Sequence, residues 1–302
     1  MKYTLKKSST LLEAVMEIYK GISKQKAKQI LGHSDFLLDG KKIKRHAMLK
    51  IEAGKVLEII HHEKNRIQNR IPDKRTPVAI YYEDLYFVIA MKPAGILSCG
   101  HKDLPVNNSY HKVLESYLSD RDEKKVRLWV VHRLDREVEG LILFARSEKF
   151  QARIKEMWPQ VTKKYLALTE NKPEPPSGII ENWLIDTSMQ KVIASEEQVE
   201  GSKFAYSEYK YIKKVKNYHL IEIQLHTGRK NQIRVHMAGI NCPIVGDRKY
   251  GADASVVRQV RLASCSIEFV HPFTQKQVSV KYSPPARFFN PSQKNDEKYK
   301  IL

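Results

Sequence analysis

Cysteine is scarce in this sequence of 302 residues. Cys99, Cys242 and Cys265 are odd in number, widely separated and without a CxxC pair, which argues against a disulfide framework and against a cysteine zinc site. The histidines do not compensate: the adjacent His61 and His62 and the scattered His226 and His236 lack the i, i+4 spacing of a helical zinc site. Long apolar runs are missing too. The longest, LYFVIAM at 85–91, falls far below the roughly 18 residues of a spanning helix, and the opening MKYTLKKSST leads into no signal-peptide core. A soluble, cytoplasmic protein that does not span a membrane, in a reducing compartment, is expected. No internal repeat is present. GILSCGHKD, from Gly95, has the outline of a phosphate loop, but His101 intervenes before Lys102 and Asp103 stands where a magnesium-binding hydroxyl belongs. Acidic residues are few, 34 against 53 lysines and arginines, for a net charge of +19. Such an excess repels itself in a compact fold unless a polyanion offsets it, so RNA, DNA or an anionic membrane is implied.

What is present is enough apolar residue, 42%, for one large and one small packed unit. Residues 10–60 read as two short amphipathic helices followed by strands. Leu11, Leu12, Val15 and Ile18 line the first helix, and Ala27, Ile30 and Leu31 the second. FLLDGKKIK supplies two strands across Asp39-Gly40. The polar, basic stretch at 61–77, closed by two prolines, reads as a linker. From Val78 to about residue 285 strand-like runs alternate with turn signals. RLWVVHRL and GLILFARS are apolar on both faces and read as central strands flanking the loop of Asp135. Ser147 is placed to cap a helix carrying Phe150, Ile154, Met157 and Trp158, KKYLALTE forms the next strand, and HTGRKNQIRVHMAG turns at Gly228 into a short helix ended by Gly239. The free amides of that helix, with Arg229 beside them, offer a seat for a phosphate. The tail QKNDEKYKIL is expected to fray.

By residue type alone, Asp135 between Arg133 and Arg136 reads first as a structural ion pair, Tyr165 as a core residue with a satisfied hydroxyl, and Arg234 equally as a solvated surface charge. Four ordered blocks change that balance. HRLDREVEGLILFAR, preceded by YYEDLYFVIAMKPAG and followed by KKYLAL and HTGRKNQIRVHMAGINCPIVGDRKYG, resembles the RluA family of RNA pseudouridine synthases over about residues 78–285. Residues 10–60 are similar, more loosely, to the small S-four-like RNA-binding domain that often precedes that catalytic domain.

The resemblance implies an α+β fold: a large mixed, mostly antiparallel sheet with an active-site cleft, preceded by a small α/β RNA-binding domain. The expected division is an S-four-like domain at 1–66, a linker at 67–77, a catalytic domain at 78–290 and a tail at 291–302. It implies a monomeric enzyme that isomerises uridine in structured rRNA or tRNA to pseudouridine, with no cofactor and no metal. Asp135 matches the catalytic aspartate, Arg234 the arginine paired with it, and Tyr165 the tyrosine that stacks near the base and handles its proton. Arg133 matches the residue that fills the gap left by a flipped uridine. Lys163, Arg229 and Gln232 would contact the RNA. Desolvation alone would raise the Asp135 pKa, and with the arginine paired to it the expectation is a depressed value.

The sequence departs from the family pattern at Val138 and Glu139, where the pattern carries TSG hydroxyls, and at Asn231, where it carries histidine. Glu139 is expected to bring a negative charge close to the site. A rival reading is therefore an RNA-binding or ribosome-assembly protein that kept the fold without catalysis. A third is hydrolysis by a carboxylate pair, Asp135 with Glu137 or Glu139. The basic run Arg121, Lys124, Lys125 and Arg127 is expected to touch RNA.

Overall fold

The computed structural model describes residues 2–19, 22–61, 78–100, 109–187, 191–253, 257 and 259–291. The expected linker and frayed tail, and the phosphate-loop outline beyond Gly100, lie outside the described residues. The chain divides into two compact units, Met1–Arg70 and Ile71–Leu302.

The smaller unit runs β1 (Lys2–Thr4), β2 (Ser9–Thr10), α1 (Leu11–Ile18), α2 (Lys24–His33), β3 (Ser34–Leu38), β4 (Lys41–Ile43), β5 (Lys50–Ile51) and β6 (Val56–His61). Strands β1, β6, β3 and β4 form one sheet in that order, and β2 pairs with β5. Helix α1 begins where it does because Thr10 and Glu13 close a capping box. Its buried residues Leu11, Leu12, Ala14 and Val15 meet Ala27 and Leu31 of α2 and Phe36, Leu57 and Ile59 of the sheet in one core. The turn between β3 and β4 needs two residues with positive φ, and Asp39 (49°) with Gly40 (82°) supplies them.

The larger unit contains β7 (Ile80–Glu83), β8 (Phe87–Lys92), α3 (Tyr110–Arg121), β9 (Trp129–Val130), β10 (Glu139–Ala145), α4 (Glu148–Glu156) and β11 (Thr162–Thr169). It continues through β12 (Ser177–Asp186), β13 (Val192–Ser195), β14 (Lys203–Val215), β15 (Tyr218–Leu225), α5 (Gln232–Gly239), β16 (Leu262–Val270), β17 (Gln277–Lys281) and α6 (Ala286–Phe289). The strands make an 11-stranded sheet in the order β13-β12-β14-β15-β11-β16-β10-β8-β7, with β17 on β16 and β9 on β10. All pairings are antiparallel except β10 with β16, so the expected mixed, mostly antiparallel α+β architecture is observed.

Strand β10 is buried along its whole length, and its side chains alternate between two apolar layers as a pleated strand requires. Ile142 and Phe144, with Val138 just before the strand, join a layer that includes Tyr165, Ile233 and Met237. Leu141, Leu143 and Ala145 join the layer beneath α4 and α6, with Ile154, Tyr282 and Phe288. Gly140 is required here: at φ 118° a Cβ would come 2.3 Å from the Ser264 carbonyl oxygen on β16.

One expectation fails. RLWVVHRL is not a central strand but only the two-residue β9. The edge of β10 not occupied by β8 is divided, with β16 pairing at Glu139 and Gly140 and β9 at Phe144 and Ala145. Between them the Leu143 N–H donates to His132 Nε2 at 3.0 Å. The apolar residues after Val130 pack in a loop.

Candidate active site

The Asp135 loop is held at both ends. His132 at its start accepts from β10, stacks on Trp158 with ring centroids 4.6 Å apart, and is driven by burial to a pKa of about 3, so it is a neutral acceptor. On the other side of Asp135, the Arg136 carbonyl accepts from the Gly95 amide at 2.7 Å and from Lys92 Nζ at 3.4 Å, while Arg136 Nε donates back to the Gly95 carbonyl. Lys92 is fully buried and also donates to the carbonyls of Pro93 and Ile96, each at 2.9 Å. Burial pulls its pKa down to about 7, against the raising effect of Asp135, Glu137 and Glu139.

Helix α5 brings Arg234 to this loop. The register of the helix depends on Asn231, whose φ of 55° lies in the left-handed region, a conformation that asparagine tolerates better than most residues. Its side chain donates to the Tyr250 hydroxyl at 2.9 Å and accepts from Arg234 at 3.3 Å. The Asn231 departure is thus accommodated by the fold. Arg234, 6% exposed at its side chain, meets Asp135 Oδ2 at 3.2 Å and Glu137 at 3.6 Å. Its principal partner is Asp247, which sequence reasoning missed. Nε and one terminal nitrogen form a fork on the two Asp247 oxygens at 2.6 and 2.8 Å, and Asp247 is 1% exposed. The guanidinium also lies 5.3 Å from the centre of the Tyr250 ring. Burial works against the Arg234 charge, but Asp247, then Asp135 and Glu137, carry its pKa above the ordinary value.

This division of Arg234 explains a second correction. The Asp135 side chain keeps 28% of its exposure, yet burial raises its pKa. Arg234 and Lys92 oppose the rise and Glu137 adds to it, and burial prevails. The expected depression fails because the arginine's best geometry is given to Asp247. Tyr165 on β11 is buried, receives a hydrogen bond from Ser264, and is raised by burial and by the charge of Asp135. It is a neutral phenol that can donate a proton but is a poor base.

The residues expected to hold RNA separate into two groups. Arg133 and Arg229 are exposed, with Arg229 Nε donating to the Phe204 carbonyl at 2.8 Å. Lys163 and Gln232 are not available. Lys163 is 6% exposed, lies 5.3 Å over the Trp158 ring, donates to the Trp158 carbonyl, and is lowered by burial to about 8. Strand alternation puts this lysine on the same buried face as Tyr165, two residues on. Gln232 is consumed internally: its oxygen accepts from Thr227 and the Arg229 amide, and its nitrogen donates to Tyr206 and Ser207. Arg121 is likewise engaged, by Glu83 and Asp122.

Glu139 corrects a further expectation. As the first residue of β10 it points into the layer opposite Val138, is buried, and accepts from the Tyr282 hydroxyl at 3.3 Å. Burial raises its pKa, with Arg287 opposing most strongly. Its side chain is turned away from the Asp135 face, so of the two carboxylate pairs expected for hydrolysis the one with Glu139 is not formed, whereas Glu137 shares Arg234 with Asp135.

Residues 86–239, just over half of the chain, match the family model described as RNA pseudouridylate synthase. The chain is 30% identical over 191 residues to the ribosomal large subunit pseudouridine synthase D of Borreliella burgdorferi, an alignment covering 62% of this chain and 58% of that protein. It is 28% identical over 226 residues to the tRNA pseudouridine synthase C of Vibrio vulnificus, covering 67% of this chain and 89% of the relative. Among solved structures, human RNA pseudouridylate synthase domain containing 4 superposes with a TM-score of 0.59 at 23% identity, over 74% of this chain and 93% of that one, a likeness of fold. With the HRLD aspartate meeting the buried Arg234 and the family model running through both, the chain belongs to the RNA pseudouridylate synthase family.

Proposed function

We propose that this protein isomerises uridine in structured RNA to pseudouridine. The bond from N1 of uracil to C1′ of ribose breaks, the base turns in place, a bond from C5 to C1′ forms, the C5 proton leaves and N1 gains one. The observation that carries the reading is the contact at 3.2 Å between Asp135 and the buried Arg234, within electrostatic reach of the Tyr165 phenol. A carboxylate partly open to solvent and fixed by a rigid guanidinium suits a nucleophile or base that must stay ionised in a site shut off from water. Tyr165 supplies an aromatic face for the base and a proton donor.

Reaching a stacked uridine requires flipping at a cost of a few kcal/mol, and Arg133, exposed and two residues before Asp135, would fill the vacated position. Arg229 would hold phosphates, contacts that position RNA without reading its sequence. The relatives' names point to rRNA and tRNA as the substrate class, and the excess of basic residues supports a polyanionic partner. The unit at 1–66, with Lys24, Lys28, Lys41, Lys42 and Arg45 among its residues, is proposed to add further phosphate contacts. No described helix is long and apolar enough to cross a membrane, in keeping with a cytoplasmic enzyme.

The test is tritium release from C5-labelled uridine in RNA from cells lacking this gene. Release together with pseudouridine, whose mass equals that of unlabelled uridine, supports isomerisation. Free uracil or an abasic site would replace it with hydrolysis, and no release with retained RNA binding would favour the non-catalytic rival.

A further inference from the structure

The Asp135 loop contains no hydroxyl of its own. From Val131 to Arg146 there is no serine or threonine, Val138 is buried in the apolar layer, and Glu139 is bonded to Tyr282 on the far side of the sheet. A loop carrying a reactive carboxylate still has to be fixed, because a misplacement of about 1 Å can cost of order a hundred-fold in rate. The residue after Asp135 is held by Gly95 and Lys92 through the Arg136 carbonyl. The residue before it, Leu134, is held by one side chain from outside the loop. Ser98 Oγ donates to the Leu134 carbonyl at 2.7 Å and accepts from the Leu134 amide at 2.9 Å. Both groups are buried, so no water competes for these bonds.

Ser98 is itself anchored. Its carbonyl accepts from the His111 amide in the first turn of α3 at 3.1 Å, and the preceding Leu97 carbonyl accepts from Tyr110 at 2.8 Å. A rigid helix start is thereby connected through one hydroxyl to the residue adjoining Asp135. A serine that merely satisfies itself needs one backbone partner. Ser98 engages both polar groups of a single residue 36 positions away, which fixes the peptide planes on either side of Leu134 and so the direction of the next side chain.

We propose that Ser98 is a positioning residue for Asp135, supplying from the segment after Gly95 the hydroxyl that the loop lacks. The inference rests on the reading of Asp135 given above. Ser98 touches neither Asp135 nor Arg234 directly, and its effect passes through the Leu134 backbone.

The experiment compares wild type, Ser98→Ala and Ser98→Cys in single-turnover tritium release from C5-labelled RNA, separating the rate at saturating enzyme from the half-saturating concentration. Hydrogen exchange at the Leu134 amide is followed in parallel. The alanine variant is expected to lose about ten-fold or more in saturating rate, to keep its half-saturating concentration within about two-fold, and to exchange faster at Leu134 while β10 stays protected. The thiol is a weaker donor of nearly the same size, so the cysteine variant should fall between the two and covers the case in which alanine prevents folding. A saturating rate equal to wild type in either folded variant, or a loss confined to RNA affinity or melting temperature, overturns the proposal. An inactive wild type would instead sink the isomerase reading itself, so the two failures are distinguishable.

Discussion

Asp135 and Glu139 are two carboxylates in one short segment, both with pKa values raised chiefly by burial, and they end in different layers. Asp135, in the loop, retains 28% side-chain exposure and faces an arginine held by a second aspartate. Glu139, in the strand, is 3% exposed and faces a tyrosine hydroxyl. Proximity in sequence does not make a pair of active-site acids. Strand alternation places Val138 and Glu139 on opposite faces, and only the residue still in the loop is free to meet α5. Both carboxylates have cations nearby, and what Asp135 keeps and Glu139 lacks is an opening to solvent.

The comparison breaks most sharply at Asp135. Asp135→Asn, nearly isosteric and uncharged, is expected to reduce pseudouridine formation by about 10⁴-fold or more, with RNA affinity held within a few-fold. Rates from single-turnover assays and affinities from filter binding measure the two separately. Retained turnover would move the chemistry elsewhere.

Arg234→Met should follow, with activity falling by about a hundred-fold or more and binding far less, because Asp135 and Asp247 lose a shared cation and become protonated or uncompensated. Asp247→Asn tests the hidden half of the same cluster. Breaking a buried pair from one side typically costs about 3–5 kcal/mol, so denaturant unfolding should register the change even if the weaker Asp135 contact survives.

The pH profile sharpens the distinction. Activity that needs ionised Asp135 is lost as pH falls through a folded-state pKa that lies above the ordinary carboxylate value, so the acid limb should begin higher than for an exposed aspartate near about 3.9. Glu137 contributes to that rise, and Glu137→Gln should move the limb toward lower pH. Full activity maintained at about pH 4 would contradict the burial of Asp135.

Glu139→Gln is expected to have the smallest effect, with a rate within about two-fold of wild type, since the side chain does not reach the Asp135 face. Its raised folded-state pKa means the contribution to stability is greatest below the unfolded value and declines as pH rises through the folded one. The glutamine variant should therefore melt no lower than wild type at neutral pH, a comparison that thermal unfolding at acid and neutral pH makes directly.

Much of this site was legible in the sequence because motif order carries it. Asp135, Tyr165 and Arg234 could be named from the four blocks, and the helices of the small unit followed from apolar spacing, with Asp39-Gly40 marking the turn between β3 and β4. What could not be read depends on which face a residue takes and on what it meets there. Asp247 sat unremarked within GDRKYG, and Lys92 ended an apolar strand as the one charged residue of LYFVIAMK, a signal that could have suggested burial. The niche of Lys163 depends on Trp158, which lies outside its strand, and the internal bonds of Gln232 depend on Tyr206 and Ser207 of β14 and on Thr227 and Arg229 in the loop before α5. The direction of the Asp135 pKa follows from how Arg234 divides itself among three carboxylates, which no local pattern contains.

The central claim, that the Asp135 side of β10 is an isomerase site, is tested most directly by nucleoside analysis of C5-tritiated RNA incubated with wild-type protein and with Asp135→Asn in parallel. Wild type should release tritium in step with the appearance of pseudouridine, an isomer of unlabelled uridine, and the asparagine variant should release none while still binding the RNA. Equal release by both proteins, or free uracil in place of pseudouridine, would contradict the account.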